Sequence, residues 1–227
     1  MLRKGLGLGS LAIVAVALAA GPAHAATISA SDSIFGSFDA SNSTRTLALG
    51  AGTISDVNIF IDFAKCDDPA MQPGQSTCSS PGEEFSGETF FYLISPSGTR
   101  VDLVYTYNST PEGVAQGSNT PDGTYNLNVN VGGRIQVTFD DQAGSAVGPV
   151  MLTGTFRPVE SLSAFNGENA LGNWILGMGD SIGADPLSYF SSRLDVTVGA
   201  AVPEPITMTL VGAGLAVGFA RRRFGAR

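Results

Sequence analysis

The chain has 227 residues, 20 acids, 12 bases and a formal net charge of −8, and its charges are segregated along its length. Arg3, Lys4, Arg221, Arg222, Arg223 and Arg227 lie in the terminal segments, whereas residues 26–205 hold six bases against all 20 acids, a net charge of −14. A polyanion of that kind has no basic surface with which to neutralise phosphates, so nucleic acid is excluded as a partner; a soluble exported body, or one that gathers divalent cations, is indicated.

Residues 1–25 open with Arg3 and Lys4 and continue with an apolar stretch from Leu11 to Ala20, a helix-breaking Gly21-Pro22, and Ala23-His24-Ala25 before Ala26. That order is a signal peptide with an A-x-A cleavage site at Ala23 and Ala25, so signal peptidase is expected to leave Ala26 as the first mature residue. The apolar run is too short to serve as a retained membrane anchor.

From there to residue 201 the chain is rich in Gly, Ser, Thr and Asn, and its apolar residues come in short alternating runs, the period of strands. Strands are expected at Thr44–Leu49, Ile54–Phe63, Thr89–Ile94, Arg100–Tyr107, Thr124–Val131, Ile135–Phe139, Met151–Phe156, Asn173–Met178 and Arg193–Val198. Val57, Ile59, Ile61 and Phe63 fall on one face of their strand with Asn58 and Asp62 on the other, and Leu194, Val196 and Val198 alternate with Arg193, Asp195 and Thr197. Strands with one dry and one wet face build a sandwich. The expected fold is all-β: a single jelly-roll-like antiparallel β-sandwich over residues 26–201, of eight or nine strands, with isolated hydrophobic helices at the N- and C-termini. Ser95-Pro96-Ser97-Gly98 specifies a hairpin between two apolar runs, with proline where a type I turn fixes φ and glycine where the chain exits.

Cys66 and Cys78 are the only cysteines. Both lie in the exported part, and their spacing is not that of a redox C-x-x-C pair, so a structural disulfide closing a loop with little apolar content is expected. The uncharged stretch Asn108–Gly133 reads as a long exposed loop or a pair of edge strands. With the cystine loop, it is where a binding partner would be sought.

The inventory of reactive side chains is short. The only histidine is His24, inside the signal peptide, so the mature chain has no imidazole for Ser-His-Asp or Cys-His activation or for histidine-based zinc sites. Outside the signal peptide Lys65 is the sole lysine. With Asp67 and Asp68 beside it to hold it charged, it is expected on the surface. Carboxylates remain: Asp67-Asp68, Glu83-Glu84, Asp140-Asp141 and the loop Asp180 to Asp185. Adjacent residues on a strand point to opposite faces, so such pairs are not dyads in themselves and read first as solvated loop charge. Their functional reading is calcium, a hard cation held by carboxylates on glycine-rich loops at one end of a sandwich, with Asp140, Asp180 and Asp185 as ligands.

The last 26 residues, 202–227, contain Val202-Pro203-Glu204-Pro205, an apolar run from Ile206 to Ala220, and Arg221-Arg222-Arg223. The prolines hold Glu204 extended, the run makes a short transmembrane helix, and the arginines stay cytoplasmic. In this order the parts resemble the PEP-CTERM sorting signal of Gram-negative bacteria. The resemblance implies that the chain is a substrate of an exosortase, which cleaves near the PEP tripeptide and passes the body to the cell surface or the extracellular matrix after a transient membrane-anchored stage.

Within the body, Ile54-Ser55-Asp56-Val57-Asn58-Ile59, Phe91 to Thr99, Leu162 to Phe165 and Gly172-Asn173-Trp174-Ile175-Leu176-Gly177-Met178-Gly179-Asp180 resemble, in order and spacing, the P domain (Homo B domain) of proprotein convertases, over residues 53–198. In that family the domain is a jelly-roll sandwich that stabilises a subtilisin-like catalytic domain on its N-terminal side. The segments 66–88 and 108–133 depart from the pattern as insertions, and the residues between Ala26 and Thr53 are too few for a protease domain. The resemblance therefore implies a fold without serine-directed proteolysis. The expected function is an exported, exosortase-processed surface or matrix protein with a non-catalytic binding or structural sandwich, whose partner is an extracellular polysaccharide or protein. The alternative is an accessory protein or carboxylate-based hydrolase acting on extracellular polymer, which needs two carboxylates converging in a cleft roughly 5–9 Å apart.

Overall fold

The longest apolar alternation in the chain becomes its central strand. In the computed structural model, which describes residues 25–67, 69–79, 86–105, 132–148 and 151–199, β4 (Ile54–Lys65) buries Val57, Ile59, Ile61 and Phe63 in one row. The other strands are β1 (Ala26–Asp32), β2 (Gly36–Phe38), β3 (Ser41–Leu49), β5 (Thr89–Ile94), β6 (Arg100–Val104), β7 (Arg134–Phe139), β8 (Gly154–Phe156), β9 (Gly172–Asp180) and β10 (Leu187–Val198). They form two sheets, one ordered β1-β10-β4-β7-β8 with β2 also on β10, the other β3-β9-β5-β6. The expected all-β sandwich is therefore present. One pairing departs from the antiparallel rule, since β8 runs parallel to β7.

The core lies between the sheets. Trp174, Leu176 and Met178 of β9 and Phe91 and Leu93 of β5 face the β4 row, with Phe63 and Phe91 meeting edge to face at 5.1 Å. Phe165, on a 3₁₀ turn at Leu162–Phe165, packs edge-on against Trp174 at 5.0 Å, and the indole Nε1–H donates to the Ala170 carbonyl at 3.1 Å. That satisfies the one polar atom of a fully buried ring. In β10 the inward residues change parity, from Leu187 and Tyr189 to Leu194, Val196 and Val198. A register irregularity between Tyr189 and Ser191 absorbs the extra residue, so both halves of the strand face the core. Phe190 turns instead to a small second cluster with Ala64, Cys66 and Met71.

The hairpin at 95–98 forms as its residues specify. Gly98 N–H donates to Ser95 O at 2.9 Å, Gly98 has φ 91°, and the Ser95 N–H returns to Thr99 O. The disulfide Cys66–Cys78 is also formed. Ten strands are present among the described residues, where eight or nine were expected. β1 and β2 are the additions: their side chains are mostly small and polar, and they are strands because β10 offers them an edge, Ala26 to Asp32 pairing with Val198 to Ser192 and Gly36 to Phe38 with Tyr189 to Leu187. The strand expected at Thr124–Val131, the end of Arg100–Tyr107, most of Asn108–Gly133, and both hydrophobic terminal segments lie outside the described residues.

On the outer face of the second sheet, glycine makes room for aromatic rings. Tyr92 lies opposite Gly177 and Phe90 opposite Gly179, and the two rings are parallel at 6.3 Å. A Cβ at Gly177 would sit 1.9 Å from Tyr92 Cζ. Gly177→Ala is expected to destabilise the protein by about 1–3 kcal/mol through overpacking, measured as a lower denaturant midpoint at unchanged m-value. Reducing Cys66–Cys78, whose residues are 12 apart in sequence, is expected to remove about 3 kcal/mol on a loop-closure argument, seen as a lower Tm in reductant.

Candidate functional site

Period two places a charge at the end of each central core row. On β4 the row Val57, Ile59, Ile61, Phe63 continues to Lys65, and on β9 the row Trp174, Leu176, Met178 continues to Asp180. Because β4 and β9 belong to different sheets, the two side chains meet across the sandwich at one pole. Lys65 Nζ lies 2.6 Å from Asp180 Oδ2, 3.0 Å from Asp185 Oδ2 and 3.3 Å from Glu88 Oε2, and it also donates to the Asp185 carbonyl. All four side chains are buried.

Each acid is positioned by its backbone. Glu88 ends the 3₁₀ turn Ser86–Glu88 that leads into β5, and its carbonyl accepts from Ser181 N–H at 3.0 Å, tying that turn to the end of β9. Asp180 Oδ1 accepts from Ile182 N–H at 3.1 Å. Asp185 follows Ala184, which holds a φ of 102°, a conformation rarely adopted by a residue with a Cβ. The Ala184 N–H is anchored on Asp39 Oδ1 at 2.9 Å. This strained residue turns both the carboxylate and the carbonyl of Asp185 toward the lysine.

Among the described residues, three carboxylates face one cation: the ammonium has three N–H donors, and four oxygens lie around it. Burial pushes the Asp180 carboxyl up to about 6, with Asp185 adding to the rise, against the lowering effects of Lys65 and the Ile182 N–H.

The expectation of a surface Lys65 held by Asp67 and Asp68 is corrected: the side chain is 1% exposed and its partners come from the far sheet and its loops. Asp180 and Asp185, singled out together with Asp140 as calcium ligands, are likewise not solvated loop charge. They are brought together with Glu88, one carboxylate oxygen from each lying within 4.8 Å of the other two. That is a donor set of the kind hard cations take, and the cation its members contact is the chain's own ammonium. Asp140 is not in this group. Its Oδ1 accepts from Gln142 N–H at 2.7 Å and its own N–H donates to Phe156 O, a local turn after β7. Asp141 caps the 162–165 turn, accepting from Leu162 N–H at 3.0 Å and Ser163 N–H at 2.8 Å, so Asp140-Asp141 is no dyad. Glu88 was not foreseen. Asp68, Glu83 and Glu84 lie outside the described residues.

The clearest likeness to known proteins lies at the C-terminus. Residues 201–223 match the PEP-CTERM protein-sorting motif. The match takes in Val202, Pro203, Glu204, Pro205 and Arg221 to Arg223, and it marks the chain as an exported protein, targeted to an exosortase and destined for the cell surface or beyond. Among the described residues no helix is long and apolar enough to cross a membrane. Of solved structures, one similar chain is in the complex of the Aeromonas sobria serine protease (ASP) with the chaperone ORF2, at 17% identity and TM-score 0.40, covering 78% of this chain and 28% of that one. Another is FLHE, at 10% identity and TM-score 0.36, covering 78% and 99%. Overlaps this low carry no argument about activity, and the resemblance of residues 53–198 to the P domain is not shown by them. No curated protein matches the sequence.

Removing the ammonium leaves three buried acids facing one another. Lys65→Met is expected to cost at least about 3 kcal/mol at neutral pH, the range for breaking a buried ion pair. The sign of its pH dependence follows from Asp180. An acid whose folded pKa lies above its unfolded value is most compatible with the fold when protonated, and stability falls as pH rises through the folded pKa. Without Lys65 to lower it, the Asp180 pKa rises beyond about 6. The deficit of Lys65→Met relative to wild type is therefore expected to shrink as pH is lowered from 7 toward 4. Urea titrations across that range check it, and a deficit that grows with acidity would contradict it.

Proposed function

We propose that this chain is a surface or extracellular-matrix protein of a Gram-negative bacterium, released from its sorting tail by an exosortase, and that its β-sandwich is a non-catalytic binding or structural module. The observation that carries the reading is the sorting motif at residues 201–223, placed behind a segment composed like a signal peptide. The body supports it by what its reactive groups are doing. The mature chain has no histidine, and its one lysine is buried in an ion cluster. The acids that gather around that lysine, Glu88, Asp180 and Asp185, are themselves buried. The disulfide is consistent with an oxidising compartment. Extracellular polysaccharide or protein remains the proposed partner class.

The test is to express the gene in its host with and without the exosortase and to determine the mass of the exported protein. Loss of the segment beyond Pro205 in the competent strain alone is the expected result. A tail retained in both strains would overturn the reading, as would serine-directed proteolysis by the purified mature protein.

A further inference from the structure

We propose that Lys65 and Asp180 become joined by an intramolecular amide bond, a covalent cross-link between the two sheets, with Glu88 as the proton shuttle of the reaction. This rests on the cluster alone and does not depend on how the protein is sorted.

Three observations point to it. The reacting partners are already in contact, Nζ lying 2.6 Å from Asp180 Oδ2, each at the end of a strand fixed by an extended ladder. Holding an amine and a carboxyl together in this way supplies the orientation that makes an otherwise slow condensation intramolecular. The site is dry, with the Lys65 side chain 1% and the Asp180 side chain 0% exposed. The reaction needs a proton to pass along the Nζ to Oδ2 hydrogen bond, leaving an amine with a free lone pair and an un-ionised carboxyl, and a site away from water lowers the cost of that exchange. Burial raises the Asp180 carboxyl to about 6, so protonating it costs less than protonating a solvated aspartate. Finally, a further carboxylate, Glu88 Oε2, lies 3.3 Å from Nζ, and the Asp185 carbonyl holds the nitrogen from another side.

The step balances without any added reagent. The Lys65 lone pair attacks Asp180 Cγ, and the C–N bond forms as Glu88 takes a proton from the nitrogen. Glu88 returns that proton to the departing hydroxyl of Asp180, the C–O bond breaks, and one water leaves. An ammonium and a carboxylate have become a neutral amide and water, with no change in net charge and no oxidation. One oxygen leaves with the water, and the amide N–H keeps the Asp185 carbonyl as its partner.

The experiment is mass spectrometry of the exported protein, denatured and with its disulfide reduced, its two ends established by terminal peptides. The expected mass is lower by one water than the sequence of that mature form. A tryptic digest should lack cleavage after Lys65 and contain one branched peptide joining the Lys65 segment to the Asp180 segment. Lys65→Arg should have the full mass, and Glu88→Gln should be largely unjoined while remaining folded. Full mass for the wild type, with separate Lys65 and Asp180 peptides, would overturn the proposal. So would a lost water that maps elsewhere, for instance to a succinimide at Asp122-Gly123. Bond formation in Glu88→Gln as complete as in wild type would overturn the role given to Glu88. The wild-type peptide map decides the matter even if the variants do not fold.

Discussion

A lone ammonium cannot be taken out of water without partners, and much of this sandwich is arranged around that requirement at one pole. Lys65 is delivered by the central strand of one sheet and Asp180 by an inner strand of the other. Glu88 and Asp185 come from a turn and a loop that must therefore close over the same end. The strained φ at Ala184 and the Asp39 anchor beneath it make sense as costs of aiming Asp185 inward. Apolar burial holds the sheets together along their length, but their relative position at this pole is fixed by charges that tolerate little displacement.

Much of the fold could be read from local pattern, because β4, β7 and the second half of β10 carry their own alternation, β5 is an apolar run, and the 95–98 turn carries its own stereochemistry. The disulfide followed from two exported cysteines. What could not be read depended on neighbours distant in sequence. β1 and β2 have little hydrophobic signal and exist through the edge of β10. Glu88 reaches the cluster through the pairing of β5 with β9. Lys65 is different, because its signal was present. The period-two row that starts at Val57 runs through Phe63 to Lys65, just as the row from Trp174 runs to Asp180. Reading the lysine from its sequence neighbours Asp67 and Asp68, instead of from the strand's own periodicity, put it on the wrong side of the surface.

The two ends of the chain and its body speak to different questions. The sorting motif concerns destination. In the body several polar side chains are spent on internal structure: Lys65, the sole lysine of residues 26–205, is enclosed, Asp141 caps a turn, and Asp62 pairs with Arg134 and Gln136. Such an allocation of polar groups favours durability outside the cell, where no chaperone repairs a protein that opens.

The pairing of β1 with β10 has a mechanical meaning. Ala26 lies opposite Val198, so the body begins and ends at one pole, while Leu187, at the other end of β10, lies opposite Lys65. A load applied to the chain beyond Val198 falls on β10, which is hydrogen-bonded to β1 and β2 on one side and β4 on the other. Pulled along its own axis, that strand must slide past its neighbours with its hydrogen bonds strained together in shear, not parted one at a time from an end. The lysine cluster, at the remote end, is then the last clamp to feel the force.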